Sequence, residues 1–301
     1  SPTASGKSLI IYMLCRHYLN MINNNILIIV PTTSLVEQLY KDFKDYGYDV
    51  ETNVSRKYHG YDIDEDKRIV ISTWQSLYKM PKKFFEDYGA VIGDEAHLFK
   101  AVSLTKIMTK LTDCKYRIGL TGTLDDSKTH KLVLQGLFGT VNRVVSTKQL
   151  IDKKQLAQLK VMCLNLKYPE IEAKKVYGVK YFEELEYLTQ NTARNKYIRN
   201  LALALKGNTL LLFQLVEKHG EILFNLIKEK ADPKRKVFFV YGGTETDDRE
   251  KIRAITEKSD NAIIVASFGT FSTGINIRNL HNIVFSSPTK SPIRVLQSIG
   301  R

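Results

Sequence analysis

Short apolar runs separated by helical patterns constrain this chain more than any other feature. Strand-type runs fall at Ile26–Val30, Arg68–Ser72, Ala90–Gly93, Tyr116–Leu120 and Asn142–Ser146. A second set follows at Val161–Leu166, Thr209–Phe213, Lys236–Tyr241, Ala262–Ser267 and Asn282–Ser286. Helical stretches lie between many of them: Lys7–Asn20, Ser34–Tyr46, Ser103–Leu111, Tyr181–Leu205, Val216–Lys230, Asp247–Lys258 and Pro292–Ile299. Strands apolar at nearly every position suit sheets covered on both faces, and strand–helix alternation suits parallel pairing through crossover helices. Ten strands are many for one sheet, so the pattern predicts two α/β domains. The polar stretch Lys148–Lys160 and the aperiodic stretch Lys167–Lys175 place the seam near 147–175. The expected division is 1–150 for a first lobe, 151–175 for a linker and the start of a second lobe, and 176–301 for the rest.

Composition narrows the class. A length of 301 residues allows about two domains, and 43% hydrophobic residues can supply their cores. The longest apolar runs, such as Ile26–Val30, have the length of buried strands rather than membrane spans. No signal peptide is visible, although the start lacks an initiator Met. Cys15, Cys114 and Cys163 lie far apart, without disulfide or zinc spacing, which points to a reducing, cytoplasmic setting. The net charge of +13 favours a polyanionic partner, and no basic amphipathic anchor directs that charge to a membrane.

Two motifs carry chemistry. Asp94-Glu95-Ala96-His97 follows the apolar run Ala90–Gly93, so a buried strand delivers two adjacent carboxylates to its tip. Asp94 can hold Mg²⁺ through a water, and Glu95 can polarise an attacking water. Alone, such a pair also reads as a solvated acidic turn. The second motif, Ser1-Pro2-Thr3-Ala4-Ser5-Gly6-Lys7-Ser8, opens a helix. Its backbone N–H groups can cradle phosphate, Lys7 can reach the β/γ-phosphates, and Ser8 can ligate Mg²⁺. The strict phosphate-loop pattern has Gly where Ser1 stands, and a bare Gly-Lys-Ser also caps plain helices. Together the motifs specify an NTP site with Mg²⁺, and ATP is the expected nucleotide. Two classes compete at this point: a phosphotransferase with one nucleotide lobe, and a motor NTPase with two lobes and a nucleic-acid track.

The remaining motifs favour the motor. Pro31-Thr32-Thr33-Ser34, Ser72-Thr73-Trp74-Gln75 and Leu120-Thr121-Gly122-Thr123 leave strands with small hydroxyl residues. Such exits can place donors along a phosphate backbone, although each alone also reads as helix capping. In the second half, Thr209–Phe213, Val240-Tyr241-Gly242-Gly243-Thr244, Ile264–Ser267 with Ser272-Thr273-Gly274-Ile275-Asn276, and Gln297-Ser298-Ile299-Gly300-Arg301 follow in order. As a set these segments resemble the superfamily 2 helicases over essentially the whole chain. The letters Asp-Glu-Ala-His suggest the RNA-remodelling branch. Thr121-Gly122-Thr123 and Gly274-Ile275-Asn276, however, look more like the double-stranded DNA translocases and restriction-enzyme motors. The chain looks most like a phage-encoded branch associated with branched DNA and R-loops, which would place it in the cytoplasm of a bacterial host.

The resemblance implies two RecA-like P-loop domains, each a mainly parallel sheet flanked by helices, with the ATP site in the cleft between lobes. It implies nucleotide contacts from Ala4, Ser5, Gly6, Lys7, Ser8, Gly274 and Asn276, with Ser8 and Asp94 on Mg²⁺. Glu95 would activate water, with Arg301 and Gln297 completing catalysis from the second lobe. His97 would couple the site to Thr121 and Thr123. Thr32, Thr33, Thr73, Gln75 and Ser267 would contact the nucleic-acid backbone. Trp74 could stack on a base, although a lone Trp beside a strand is more often core.

The implied activity is an ATP-dependent DNA helicase or translocase acting on forks, Holliday junctions and R-loops. Its partner would be branched, single-stranded or duplex DNA, with an RNA–DNA hybrid as a further candidate, and it would work as a monomer. An RNA helicase and a non-catalytic nucleic-acid scaffold are the alternatives. The family's sixth motif runs Gly-Arg-x-x-Arg, and a strand precedes its phosphate loop. The sequence is therefore expected to be a motor core cut at both ends, binding ATP weakly as it stands.

Overall fold

The computed structural model describes the chain except residues 1–4, 59–63, 65, 123–127, 143, 155–156, 272–276, 278, 290, 292–294, 296–297 and 299–301. The chain divides into two units between Gln158 and Leu159.

The first unit is built around β1 (Asn25–Val30), whose residues Ile26–Val30 are each at most 1% exposed. Side chains alternate across a strand. Ile26, Ile28 and Val30 therefore pack on one face with Ile11 and Cys15 of α1 (Lys7–Met21) and with Val36, Leu39 and Phe43 of α2 (Thr33–Asp45). Leu27 and Ile29 pack on the other face with Leu77 of α3 (Trp74–Tyr78), Leu104, Ile107 and Met108 of α4 (Val102–Lys110), and Leu134 of α5 (Lys128–Phe138). A strand sandwiched this way has no polar face, which is why the sequence shows an unbroken apolar run. The sheet is completed by β2 (Val54–Lys57), β3 (Ile69–Thr73), β4 (Tyr88–Asp94) and β5 (Tyr116–Leu120), in the order β2-β3-β1-β4-β5. Every pairing in it is parallel.

The second unit repeats the plan. Its strands are β6 (Thr209–Phe213), β7 (Val237–Val240), β8 (Ile263–Ser267) and β9 (Asn282–Phe285), ordered β7-β8-β6-β9 and all parallel. Leu211 and Phe213 meet Ile198 and Ala202 of a helix over Thr192–Ala204 and Leu223 and Ile227 of a helix over Glu221–Lys230. Leu210 and Leu212 meet Val240, Ile264 and Phe268 on the opposite face.

Several expectations are corrected. The strand expected at Asn142–Ser146 is irregular at its described positions, because Ser146 instead caps a helix over Thr147–Asp152 in a reciprocal capping box with Gln149. Val161–Leu166 is also irregular, with Val161 and Met162 more than two-thirds exposed. Its alternating apolar pattern has no partner strand among the described residues, and a strand is stabilised by its neighbours rather than by propensity. Conversely, β2 has no apolar run to betray it. It is an edge strand whose Arg56 is held by Glu37 at 2.7 Å and lies over the Tyr40 ring. The single helix expected over Tyr181–Leu205 breaks at Asn191, whose side chain accepts the Arg194 N–H and starts a new helix. Val216–Gly220 forms a π-turn ahead of the helix over Glu221–Lys230. Of the helix expected over Pro292–Ile299, only residues 295 and 298 are described.

One buried amide ties the second sheet to its surroundings. Asn208 is fully buried and donates to the carbonyls of Thr256, Ser259 and Asn279, while its side-chain oxygen accepts the Ala262 N–H. Removing a partner from buried polar groups costs about 1–3 kcal/mol for each group left unsatisfied. Asn208→Ala should therefore destabilise the second unit by about 3 kcal/mol or more. Amide hydrogen exchange would show this as lost protection across β6 and β8, and unchanged protection would refute the role.

Candidate functional site

Parallel register brings the strand tips of the first sheet to one edge. Val30 lies beside Thr73, Ile29 beside Gly93, and Asp94 beside Leu120. The segments that follow these positions, from Thr32, Thr73, Glu95 and Thr121, therefore emerge at the carboxyl end of one sheet. That edge is where open α/β sheets bind ligands.

The centre of this edge is a tight turn. Asp94 is 8% exposed, and its carboxylate accepts the N–H of Glu95 at 2.9 Å. Glu95 adopts φ +50°, a left-handed backbone that is uncommon outside glycine and asparagine. Such a conformation costs of order 1 kcal/mol and persists only where its surroundings enforce it. It turns the chain into a 3₁₀ segment over Ala96–Lys100. His97, 6% exposed, then reaches back with Nδ1 2.9 Å from Thr121 Oγ1 and 3.4 Å from Glu95 Oε2. One imidazole thus bridges the tips of β4 and β5.

Two glycines at the strand ends make room for this turn. Gly93 and Gly119 face each other across β4 and β5. A Cβ on Gly93 would lie 2.7 Å from Phe99 Cζ, and one on Gly119 would lie 2.9 Å from Ala96 Cβ. Phe99 in turn packs edge-on against Phe138, with ring centroids 5.0 Å apart. A sequence signal existed: each glycine sits near its strand's end, just ahead of Asp94 or Thr121.

The phosphate-loop residues are placed separately. Gly6 has φ +78° and caps α1, so the backbone itself requires glycine there. Ser5, Lys7 and Ser8 are half-buried. Ser8 Oγ lies 2.9 Å from the hydroxyl of Tyr46, the residue ending α2 at the opposite end from Thr32. Ala4, Thr123, Gly274, Asn276, Gln297 and Arg301 lie outside the described residues.

The candidate backbone contacts divide by exposure. Thr33 and Gln75 are exposed at helix starts. Thr32 instead caps α2 by accepting the Leu35 N–H. Thr73 is 4% exposed, with Oγ1 3.1 Å from Ser76 Oγ, and Ser267 Oγ lies 2.7 Å from Thr270 Oγ1 at the tip of β8. Trp74 packs against the cluster containing Leu77 and Phe85, as a core aromatic does.

Sequence comparison fits both halves in order. Residues 1–126 match the family described as Type III restriction enzyme, res subunit, and residues 193–301 match the Helicase conserved C-terminal domain. The chain belongs to the superfamily 2 helicases. Across its full length it is 38% identical to the protein named ATP-dependent DNA helicase uvsW of Enterobacteria phage T4, covering 60% of that protein. It is 23% identical to the Probable helicase D10 of Escherichia phage T5, over 91% of this chain and 58% of that one. The chain therefore spans about 60% of the length of these relatives. The S. cerevisiae Dbp5 structure, 14% identical, covers all of this chain and 74% of its own with a TM-score of 0.66, a likeness of fold. Both units are thus RecA-like parallel sheets flanked by helices. Among the described residues no helix is long and apolar enough to cross a membrane.

The second unit holds a polar cluster that no sequence motif marks. The Ser286 carbonyl accepts from Arg194 at 2.6 Å, and its hydroxyl donates to the Leu212 carbonyl at 2.6 Å. Ser287 Oγ accepts the Gln214 N–H at 3.1 Å and lies 2.9 Å from His219 Nδ1. These bonds clamp the tips of β6 and β9. Gly220 lets the π-turn approach, because a Cβ there would lie 2.5 Å from the Phe213 ring. No short motif announces the cluster, since Ser287 and His219 are 68 residues apart.

His219 is fully buried, and burial, aided by the nearby Arg194 charge, pushes its pKa down to about 4. An unfolded imidazole titrates near pH 6.5. The unfolded chain therefore binds the proton first as pH falls. The stability held by neutral His219 is whole above about pH 6.5 and is lost progressively toward about pH 4, by at most about 3 kcal/mol. Denaturant midpoints recorded between these pH values should fall in the wild type and fall less steeply in His219→Gln. Parallel pH profiles would rule this out.

Proposed function

We propose that this chain is the motor core of an ATP-dependent DNA helicase or translocase that remodels branched DNA such as forks, Holliday junctions and R-loops. The observation that carries the reading is the buried turn in which Asp94, Glu95, His97 and Thr121 meet at the tips of adjacent parallel strands. It lies in a chain whose two halves match a restriction-motor family and the helicase C-terminal family in order. The choice of DNA over RNA is supported by the T4 relative's description as a DNA helicase. The phage relatives support action in the cytoplasm of a bacterial host, and the motor is read as a monomer. An RNA–DNA hybrid is included among its substrates.

In this reading residues 1–150 form the first motor lobe, 151–175 the linker and the start of the second, and 176–301 the second lobe. Ala4, Ser5, Gly6 and Lys7 bind the nucleotide phosphates, helped by the positive end of α1, and Gly274 and Asn276 contact the nucleotide from the second lobe. Asp94 and Ser8 would hold Mg²⁺. A single largely buried carboxylate with one oxygen already anchored by a backbone N–H suits that ion, which binds through one or two carboxylates plus waters and phosphates. When bound, the ion offsets charge on the phosphates. Glu95 is the general base that orients and deprotonates water. His97 senses the state of Glu95 and passes it to Thr121, and Thr123 continues that path. Arg301 stabilises charge on the transferred phosphoryl group, and Gln297 aligns it. Thr32, Thr33, Thr73, Gln75 and Ser267 line the track, with contacts to backbone phosphate rather than to bases.

In the full-length protein, Lys7→Ala, which removes a charge on the phosphates, and Glu95→Gln, which removes the general base, should each lower DNA-stimulated ATP turnover by about 100-fold or more. His97→Ala should spare turnover more than strand separation, because the imidazole couples rather than reacts. Assays on single-stranded, duplex, forked and hybrid substrates would check these expectations. Wild-type rates in Glu95→Gln would sink the site assignment, and DNA binding without turnover in the wild type would point to a scaffold.

A further inference from the structure

The polar clamp at the tips of β6 and β9 fixes the point where the chain leaves the second sheet. Ser286 is tied to the Leu212 carbonyl by its N–H at 3.0 Å and by its hydroxyl at 2.6 Å. Its own carbonyl accepts one arm of the Arg194 guanidinium at 2.6 Å. The other arm reaches the Leu188 carbonyl, in the helix over Tyr181–Gln190, at 3.5 Å. Ser287 is held through its hydroxyl by the Gln214 N–H and by His219. Beyond Ser287 the chain runs on to Gln297 and Arg301. The described residues of that stretch stay beside the clamp. Val295 lines one cavity, of about 370 Å³, together with Arg194, Ser287, Pro288 and Thr289, and its N–H donates to the Ser291 carbonyl at 3.3 Å.

We propose that Arg194 and His219 are positioning residues for ATP turnover: by fixing the path of Ser286 and Ser287 out of β9, they set where Gln297 and Arg301 meet the transferred phosphoryl group. Neither touches the nucleotide. The chemistry of the clamp argues for direction over packing. Arg194 bonds two carbonyls and no carboxylate among the described residues, and burial lowers its pKa. His219 is fully buried, with no partner for Nε2 among the described residues. Taking such groups out of water costs stability, whereas hydrogen bonds fix direction in a way that apolar contact does not. The planar fork of an arginine spans two carbonyls at set angles, which a lysine ammonium on its flexible stem does not. A displacement of about 1 Å at a catalytic group can cost about 100-fold in rate, so a clamp removed from the chemistry still bears on it. The proposal rests on the motor reading, and it adds the residues that aim the catalytic pair of the second lobe.

The test is a double-mutant cycle on DNA-stimulated ATP turnover in the full-length protein, with Arg194→Gln, Arg194→Lys, Arg301→Ala and the paired Arg194→Gln/Arg301→Ala. Arg194→Gln should lower kcat by about 10- to 100-fold. KM for ATP and the affinity for single-stranded DNA should stay within about twofold of the wild type, because no ground-state contact is lost. Arg194→Lys should recover little, since it restores the charge without the fork. With Arg301 gone there is nothing left to aim, so the paired variant should turn over within about twofold of Arg301→Ala alone. A merely structural role predicts the opposite, because a damaged unit loses activity whatever stands at position 301. Ser287→Ala, a smaller change that releases His219, should behave as Arg194→Gln does in the same cycle. It carries the test if hydrogen exchange across β6 and β9 shows that Arg194→Gln has not folded. The proposal is overturned if the folded variant keeps the wild-type kcat, if its loss lies in KM alone, if Arg194→Lys restores the wild-type rate, or if the two losses multiply in the paired variant. Wild-type turnover in Arg301→Ala would instead overturn the catalytic assignment of Arg301, and this proposal with it.

Discussion

Burial of β1 and β6 on both faces is the constraint on which the rest of this molecule depends. A strand with no polar side must be covered twice, and crossover helices provide that cover while forcing each following strand to run parallel. Parallel strands end together. The fully buried runs Ile26–Val30 and Leu210–Phe213 therefore dictate where chemistry can happen as well as how the cores form. Thr73, Asp94 and Thr121 come from segments far apart in sequence. They share one edge because Val30, Gly93 and Leu120 are in register with their neighbours.

At that edge the structure gives up stability for geometry. The left-handed backbone at Glu95, the facing glycines and the buried His97 are each unfavourable in isolation. They are tolerated because the 3₁₀ segment behind them is held by Phe99, Phe138 and the His97–Thr121 contact. The second unit treats its own strand tips differently. There the clamp is polar, running from Arg194 through Ser286 and from His219 through Ser287, without strained backbone. The first edge holds two carboxylates in a fixed turn, while the second fixes the relation between two strands.

Much of this was legible in the sequence, for identifiable reasons. Strands with apolar cores advertise themselves, so eight of the nine strands among the described residues coincide with apolar runs and the two-unit plan follows. The exception, β2, is an edge strand whose stability comes from Glu37, Tyr40 and pairing to β3, none of which is local. The opposite error, at Val161–Leu166, arose because an alternating pattern describes a face without supplying a neighbour. At the strand tip, the turn Asp94–His97 was readable as a motif because its four residues are contiguous. Asn208 and the His219–Ser287 clamp were not, because each acts through contacts between distant segments. Small hydroxyls also serve as caps, and Thr32 and Ser146 both satisfy helix starts.

The glycine pair has an evolutionary side. A Cβ on Gly93 would crowd Phe138 at 3.1 Å, and one on Gly119 would meet the same ring at 3.0 Å. Positions 93, 119 and 138 are therefore not independent. Whichever glycine is replaced first must displace the shared ring, and once it has moved the second replacement encounters less resistance, so the two costs do not add. A lineage that shortened Phe138 would relieve one contact at each glycine, while Phe99 would still crowd position 93 and Ala96 position 119, so the turn itself resists larger side chains there. Variation at this trio should come as a group, or not at all.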